Sequence, residues 1–189
     1  MISVRWHNWN GAGLEHCVCR YDNDGLSLEG VVAGTRHGLY GAHYLVRTDR
    51  LFRTREVTVN YVGGARMHVE ADGEGNWTNR HDHQPIAALE GCIDVDIGVT
   101  PATNALPIKR LQLRKDESQD ILAAYVPLPD QIEGDFLPRP APQRYTCLVP
   151  AQTYRYEGLF RGFTAVLEID QDGLVIDYPD TFRRVPLSA

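Results

Sequence analysis

Three Asp-Gly pairs, at 24–25, 72–73 and 172–173, punctuate short runs of alternating apolar residues, and this pattern most constrains the fold. Asp and Gly together favour tight turns, because Gly takes a positive φ and the Asp side chain bonds its own backbone. Alternation of period two marks strands that are buried on one face. Strands are expected over Val4–Trp9, Glu15–Tyr21, Leu26–Gly34, Gly38–Asp49, Phe52–Val62 and Arg66–Ala71. Further strands are expected at Gln119–Pro127, Arg144–Val149, Thr153–Glu157, Phe163–Ile169 and Leu174–Tyr178. No long stretch has the 3.6-residue period of an amphipathic helix, and there is no internal repeat. The expected class is all-β (mainly β): a strongly bent antiparallel roll or barrel.

The middle of the chain carries most of the polar chemistry. In Ile93-Asp94-Val95-Asp96-Ile97 the apolar residues share one strand face, and Asp94 and Asp96 share the other, about 7 Å apart by strand rise. Two carboxylates so placed suit general acid/base work, a metal or bound cations; they equally suit a solvated outer face. Thr100, Thr103 and Asn104 follow, then Lys109 and Arg110. Pro107 limits any helix around Thr103 to Ile108 to a turn or two.

In Phe52–Val62, counting back by two from Tyr61, Val59 and Val57 puts Arg55 and Arg53 on the buried face. Buried guanidinium groups need acceptors, and Asp94 and Asp96 have the matching period, so a ladder of two ion pairs inside the roll is expected. The alternative is that the strand twists out at its start and both side chains reach water. Trp77, Tyr145 and Tyr178 are the aromatics available to stack on a sugar or to line a cleft. Pro127 to Pro142 holds five prolines and reads as a long surface loop able to cover a mouth. His81-Asp82-His83 is a ligand-like triplet, but it sits in what reads as a loop and is taken as solvated.

These segments carry a family resemblance. Gly91-Cys92-Ile93-Asp94-Val95-Asp96-Ile97, followed by Thr100-Pro101-Ala102-Thr103-Asn104-Ala105-Leu106-Pro107-Ile108-Lys109-Arg110-Leu111, resembles the signature of a glycolipid-binding family long filed as a domain of unknown function. Phe52-Arg53-Thr54-Arg55, Gly75-Asn76-Trp77, Gln143-Arg144-Tyr145-Thr146, Asp172-Gly173-Leu174-Val175 and Asp177-Tyr178-Pro179 are similar to the same family and cover nearly the whole chain. Lys109 and Ala102 depart from the signature, which suggests Arg and a larger residue there. The resemblance implies a fold related to the lipoprotein carriers LolA and LolB: a large curved antiparallel sheet forming a partly closed roll or half-barrel, with a few short helices plugging its middle.

The implied ligand is amphipathic, a lipid or glycolipid, held without catalysis by Asp94, Asp96, Thr100, Thr103, Asn104, Arg110, Arg53, Arg55, Trp77, Tyr145 and Tyr178. A hydrolase using Asp94 and Asp96, with or without a metal, is the first alternative; a structural or protein-binding domain is the second. No nucleophile elbow, P-loop, dinucleotide fingerprint or zinc-protease motif is present, and no cofactor or metal is expected.

The remaining features set the context. At 189 residues, 43% hydrophobic and 23% charged, the chain suits a single globular domain over 1–189. A net charge of −6 disfavours nucleic acid as a partner. No apolar run approaches a membrane span, so stable insertion is not expected. The first residues lack a signal-peptide core, and Cys17, Cys19, Cys92 and Cys147 are read as reduced and buried. A cytoplasmic, bacterial protein is the resulting expectation.

Overall fold

The computed structural model describes residues 1–160 and 162–186. Strands make up 51% of the chain, well above the quarter usual for globular domains. The chain first runs as a meander: β1 (Ile2–Asn8), β2 (Leu14–Tyr21), β3 (Leu26–Gly34), β4 (Tyr40–Thr48), β5 (Thr54–Tyr61), β6 (Arg66–Ala71) and β7 (Trp77–Asn79). It then crosses to the far edge and lays down β8 (Asp94–Ile97), a short helix α1 (Ala105–Leu111) and β9 (Ser118–Val126). A second meander follows: β10 (Arg139–Val149), β11 (Thr153–Gly158), β12 (Phe163–Ile169), β13 (Val175–Tyr178) and β14 (Phe182–Arg184). β14 pairs with β1, so the two meanders join into one sheet of order 7-6-5-4-3-2-1-14-13-12-11-10-9-8. The sheet curls into a roll and is not closed into a barrel.

Turn chemistry is as the sequence implies. The Asp22 carboxylate accepts from the backbone N–H of Asp24 and Gly25, and Asp72 and Asp170 act the same way in their own turns. Gly73 and Gly173 have φ of 81° and 77°, which a side chain would resist.

One pair departs from the antiparallel expectation. β8 and β9 run parallel, Asp94 opposite Ala123 and Ile97 opposite Val126. A parallel neighbour needs a crossover, and α1 supplies it. The helix has only seven residues, with Pro107 in its first turn where the lost N–H has no helical partner. α1 plugs the middle of the roll. Leu106 enters a core with Trp6, Tyr44 and Trp77, and Ile108 enters a second core with Tyr145, Tyr156 and Phe182.

Two further expectations are corrected. β5 carries an extra residue at Arg55: Arg47 faces Glu56, but Thr48 faces Thr54. A bulge of one residue flips the alternation. Thr54 therefore turns inward, fully buried, and Arg53 and Arg55 leave the face that Val57, Val59 and Tyr61 occupy. The Pro-rich segment is not a lid. From Arg139 it is strand, and its first half is pinned by buried Leu128 and by Phe136, whose ring centroid lies 5.3 Å from that of Tyr61. Pro140 and Pro142 are tolerated because their backbone faces away from β9; the Pro142 carbonyl accepts from Leu159 N–H instead.

Candidate functional site

At the end of the sheet where β8 stops, the two cores part and leave a cleft of about 330 Å³. This lies in the size range of small-ligand sites. Its walls are aromatic: Tyr125, Tyr156, Phe160, Phe163, Tyr178 and Phe182. Neighbouring ring centroids in this set lie 6.0 to 6.2 Å apart, the spacing of edge and tilted contacts that fix ring orientation. Burial pushes the Tyr178 hydroxyl up, with the Asp96 carboxylate adding to the effect, so Tyr178 stays a neutral donor at physiological pH.

The polar groups enter from β8, from the turn after it and from β10. Asp96 reaches the cleft from β8, and its Oδ2 accepts from Gln143 Nε2 at 2.7 Å. Gln143 is almost wholly buried. Asn104 lines the floor; its Oδ1 accepts from the buried Tyr145 hydroxyl at 2.9 Å and its Nδ2 donates to the Pro101 carbonyl. Both ends of the amide are thus fixed. Thr100 donates from Oγ1 to Glu15 Oε1 at 2.6 Å, and Tyr44 donates to the same oxygen at 2.5 Å. Arg36 closes one side, donating to the Gly98 carbonyl at 2.7 Å with its guanidinium 5.1 Å from the Phe182 ring centroid. Gly98 matters here because a Cβ on it would stand 2.7 Å from the Tyr125 hydroxyl. The bare backbone lets that ring lie against the wall.

Of the residues singled out from sequence, Asp96, Thr100, Asn104 and Tyr178 line this cleft. Tyr145 stands behind it and orients Asn104. Thr103 is buried and accepts from Ile97 N–H, a tie between helix entry and strand. Asp94 and Arg110 meet each other: Arg110 donates from Nε and Nη2 to the two carboxylate oxygens at 3.0 and 2.6 Å. Asp94 is 1% exposed, so it lies on no solvated face; burial pushes its carboxyl upward against the opposing pull of Arg110. The expected ladder with Arg53 and Arg55 does not form. Arg53 pairs with Asp49 and Glu74, and Arg55 donates to the Ala71 carbonyl, because the bulge turns both to the opposite face of the strand. Trp77 is in the first core, its Nε1 donating to the Cys92 carbonyl. The two carboxylates of β8 therefore do not share one cavity.

Arg36, Tyr125, Gln143, Tyr156, Phe160 and Phe163 escaped the sequence reading as site residues. Gln143 had a weak signal, a polar residue between Pro142 and the strand expected from Arg144. Arg36 had none, since it lies in a turn 62 residues from its partner Gly98. A larger groove of about 560 Å³ lies over β5 to β7, where Arg80 pairs with Glu70 and His68 with Glu56. His81 and Asp82 are exposed in a turn on its edge.

The chain matches the model of the family described as "Putative glycolipid-binding" over residues 3–184. It is also similar to the crystal structure of a DUF1089 family protein from Pseudomonas aeruginosa, with 35% identity, a TM-score of 0.77 and 92% of each chain covered. A search of curated proteins gives no significant match.

Proposed function

The chain belongs to that glycolipid-binding family, and from this premise we propose that the cleft binds the sugar-bearing end of an amphipathic ligand, without catalysis. The observation that carries the reading is a fixed carboxylate–amide pair, Asp96 and Gln143, on the floor of an aromatic-walled cleft. A pyranose ring has apolar C–H faces and a rim of hydroxyls. Aromatic rings meet the faces, and carboxylate, amide and hydroxyl groups meet the rim. Tyr145 and Thr103 act behind the cleft, holding Asn104 and the end of β8. The Asp94–Arg110 fork anchors α1 to β8 and is structural. Trp77, Arg53 and Arg55 lie outside the binding machinery in this proposal.

The kinship with LolA and LolB belongs to the same proposal, supported by the curled sheet plugged by a short helix. Four buried, unpaired thiols support a cytoplasmic location. No helix among the described residues is long and apolar enough to cross a membrane.

Calorimetric titration with soluble short-chain glycosides tests the reading. Dissociation constants near 100 µM are expected, about 5.5 kcal/mol, with at least tenfold weakening in Asp96→Asn. Heats no larger than dilution for every glycoside, or equal affinity in the variant, would remove the sugar from the proposal.

A further inference from the structure

In the reading above a sugar ring takes up the cleft of about 330 Å³, so the rest of a glycolipid lies elsewhere. A tail must leave through the mouth.

The topology determines what surrounds the mouth. Adjacent antiparallel strands put the β3–β4, β5–β6 and β11–β12 turns at one end of the sheet, and Arg36, Gly158 and Phe160 place the cleft at that same end. Each of these turns offers apolar side chains to water: Leu39 is 91% exposed, Val62 82% and Phe160 51%, with Leu159 beside it. Soluble surfaces rarely group such residues without a use. Phe160 and Phe163 line the cleft as well, so apolar surface runs from the wall to the tips. The charges at this end are mixed. Arg36, Arg66 and Arg139 stand against Asp130, Glu133 and Asp135, and His37 pairs with Asp130. Among the described residues no single-sign field at this end favours an anionic surface.

We infer that this end of the sheet docks on an uncharged, zwitterionic bilayer. Leu39, Val62, Leu159 and Phe160 enter the interfacial layer. A lipid's head group then turns into the cleft while its tail stays in the membrane. The inference rests on the head-group reading above, and its test separates the two.

Co-sedimentation with phosphatidylcholine vesicles is run on the parent, on Leu39→Glu/Val62→Glu, and on Leu51→Glu. Neither Leu39 nor Val62 lines the cleft, and Leu51 is equally apolar and 62% exposed at the opposite end, between β4 and β5. The parent is expected to bind, with high salt changing little. The double variant should bind at least tenfold more weakly and Leu51→Glu within twofold of the parent. The inference is overturned if the parent does not bind, if the double variant binds as the parent does, or if Leu51→Glu loses as much. It is also overturned if the parent instead forms dimers that the double variant disperses, as read by light scattering. The soluble-glycoside titration is repeated on the double variant and should be unchanged. Vesicle binding that survives while no glycoside binds the parent would sink the head-group reading and leave the docking face standing.

Discussion

Glu15→Gln should remove most of one pH dependence from the stability of this protein while leaving its shape alone. Glu15 is 2% exposed on β2. One carboxyl oxygen accepts from Tyr44 and Thr100, at 2.5 and 2.6 Å, and the other has no partner among the described residues. Burial drives the carboxyl from its ordinary 4.5 up to about 8, against the pull of the Thr100 and Tyr44 hydroxyls. The folded protein therefore keeps the proton that the unfolded chain releases. Stability from this group is complete below pH 4.5, falls as pH rises towards 8, and is flat above. At about 1.4 kcal/mol per unit, the loss between pH 5 and 8 is roughly 3–4 kcal/mol. For a chain of this size that is about 10 °C in Tm. The assay is thermal melting of parent and variant at both pH values. The variant's Tm should change less across that interval than the parent's, by most of those 10 °C. Equal slopes in the two proteins would refute the reasoning, because the buried carboxyl would then have to lose its proton in the fold as readily as in the unfolded chain.

Three other outcomes are expected. Arg110→Met should cost about 3 kcal/mol at neutral pH by stranding the buried Asp94 carboxylate, and less as the pH is lowered, because burial favours its protonated form; paired replacement with Asp94→Leu should recover most of it; urea denaturation across falling pH reads this. Phe136→Ala should cost about 3–5 kcal/mol in the same assay, since the segment it anchors is packed core and no lid. Gly98→Val should leave the circular dichroism spectrum unchanged but weaken glycoside binding tenfold or more, because its Cβ meets the Tyr125 hydroxyl.

The strands could be read from the sequence wherever a turn and an alternating run coincided, as at Asp22–Gly25 before β3 and Asp170–Gly173 before β13. They could not where one residue broke the count. The bulge at Arg55 inverts the face assignment of everything before it, and no residue type announces it. β14 was hidden because three residues are too few to show a period. Asp94 and Asp96 were correctly placed on one face, yet their fates diverge. The partner of Asp94 comes from the helix sixteen residues on, and that of Asp96 from β10, 47 residues away. Local pattern fixes the face of a strand, but the element stacked on that face is set by topology. The same holds for the cleft. Thr100 and Asn104 were visible as polar residues at a strand–turn junction, whereas Arg36 and Phe182 arrive only when the two meanders meet.

The central claim is that ligand enters the aromatic cleft and touches Asp96 and Gln143. Amide and aromatic-ring NMR shifts followed through titration with a soluble monosaccharide glycoside test it most directly. The account predicts saturable shifts concentrated on Gly98, Asn104, Tyr125, Gln143, Tyr156 and Tyr178, lost in Asp96→Asn. Saturable shifts centred instead on Arg66, His68 and His81, or on Phe52, Lys109 and Gln112, would contradict it.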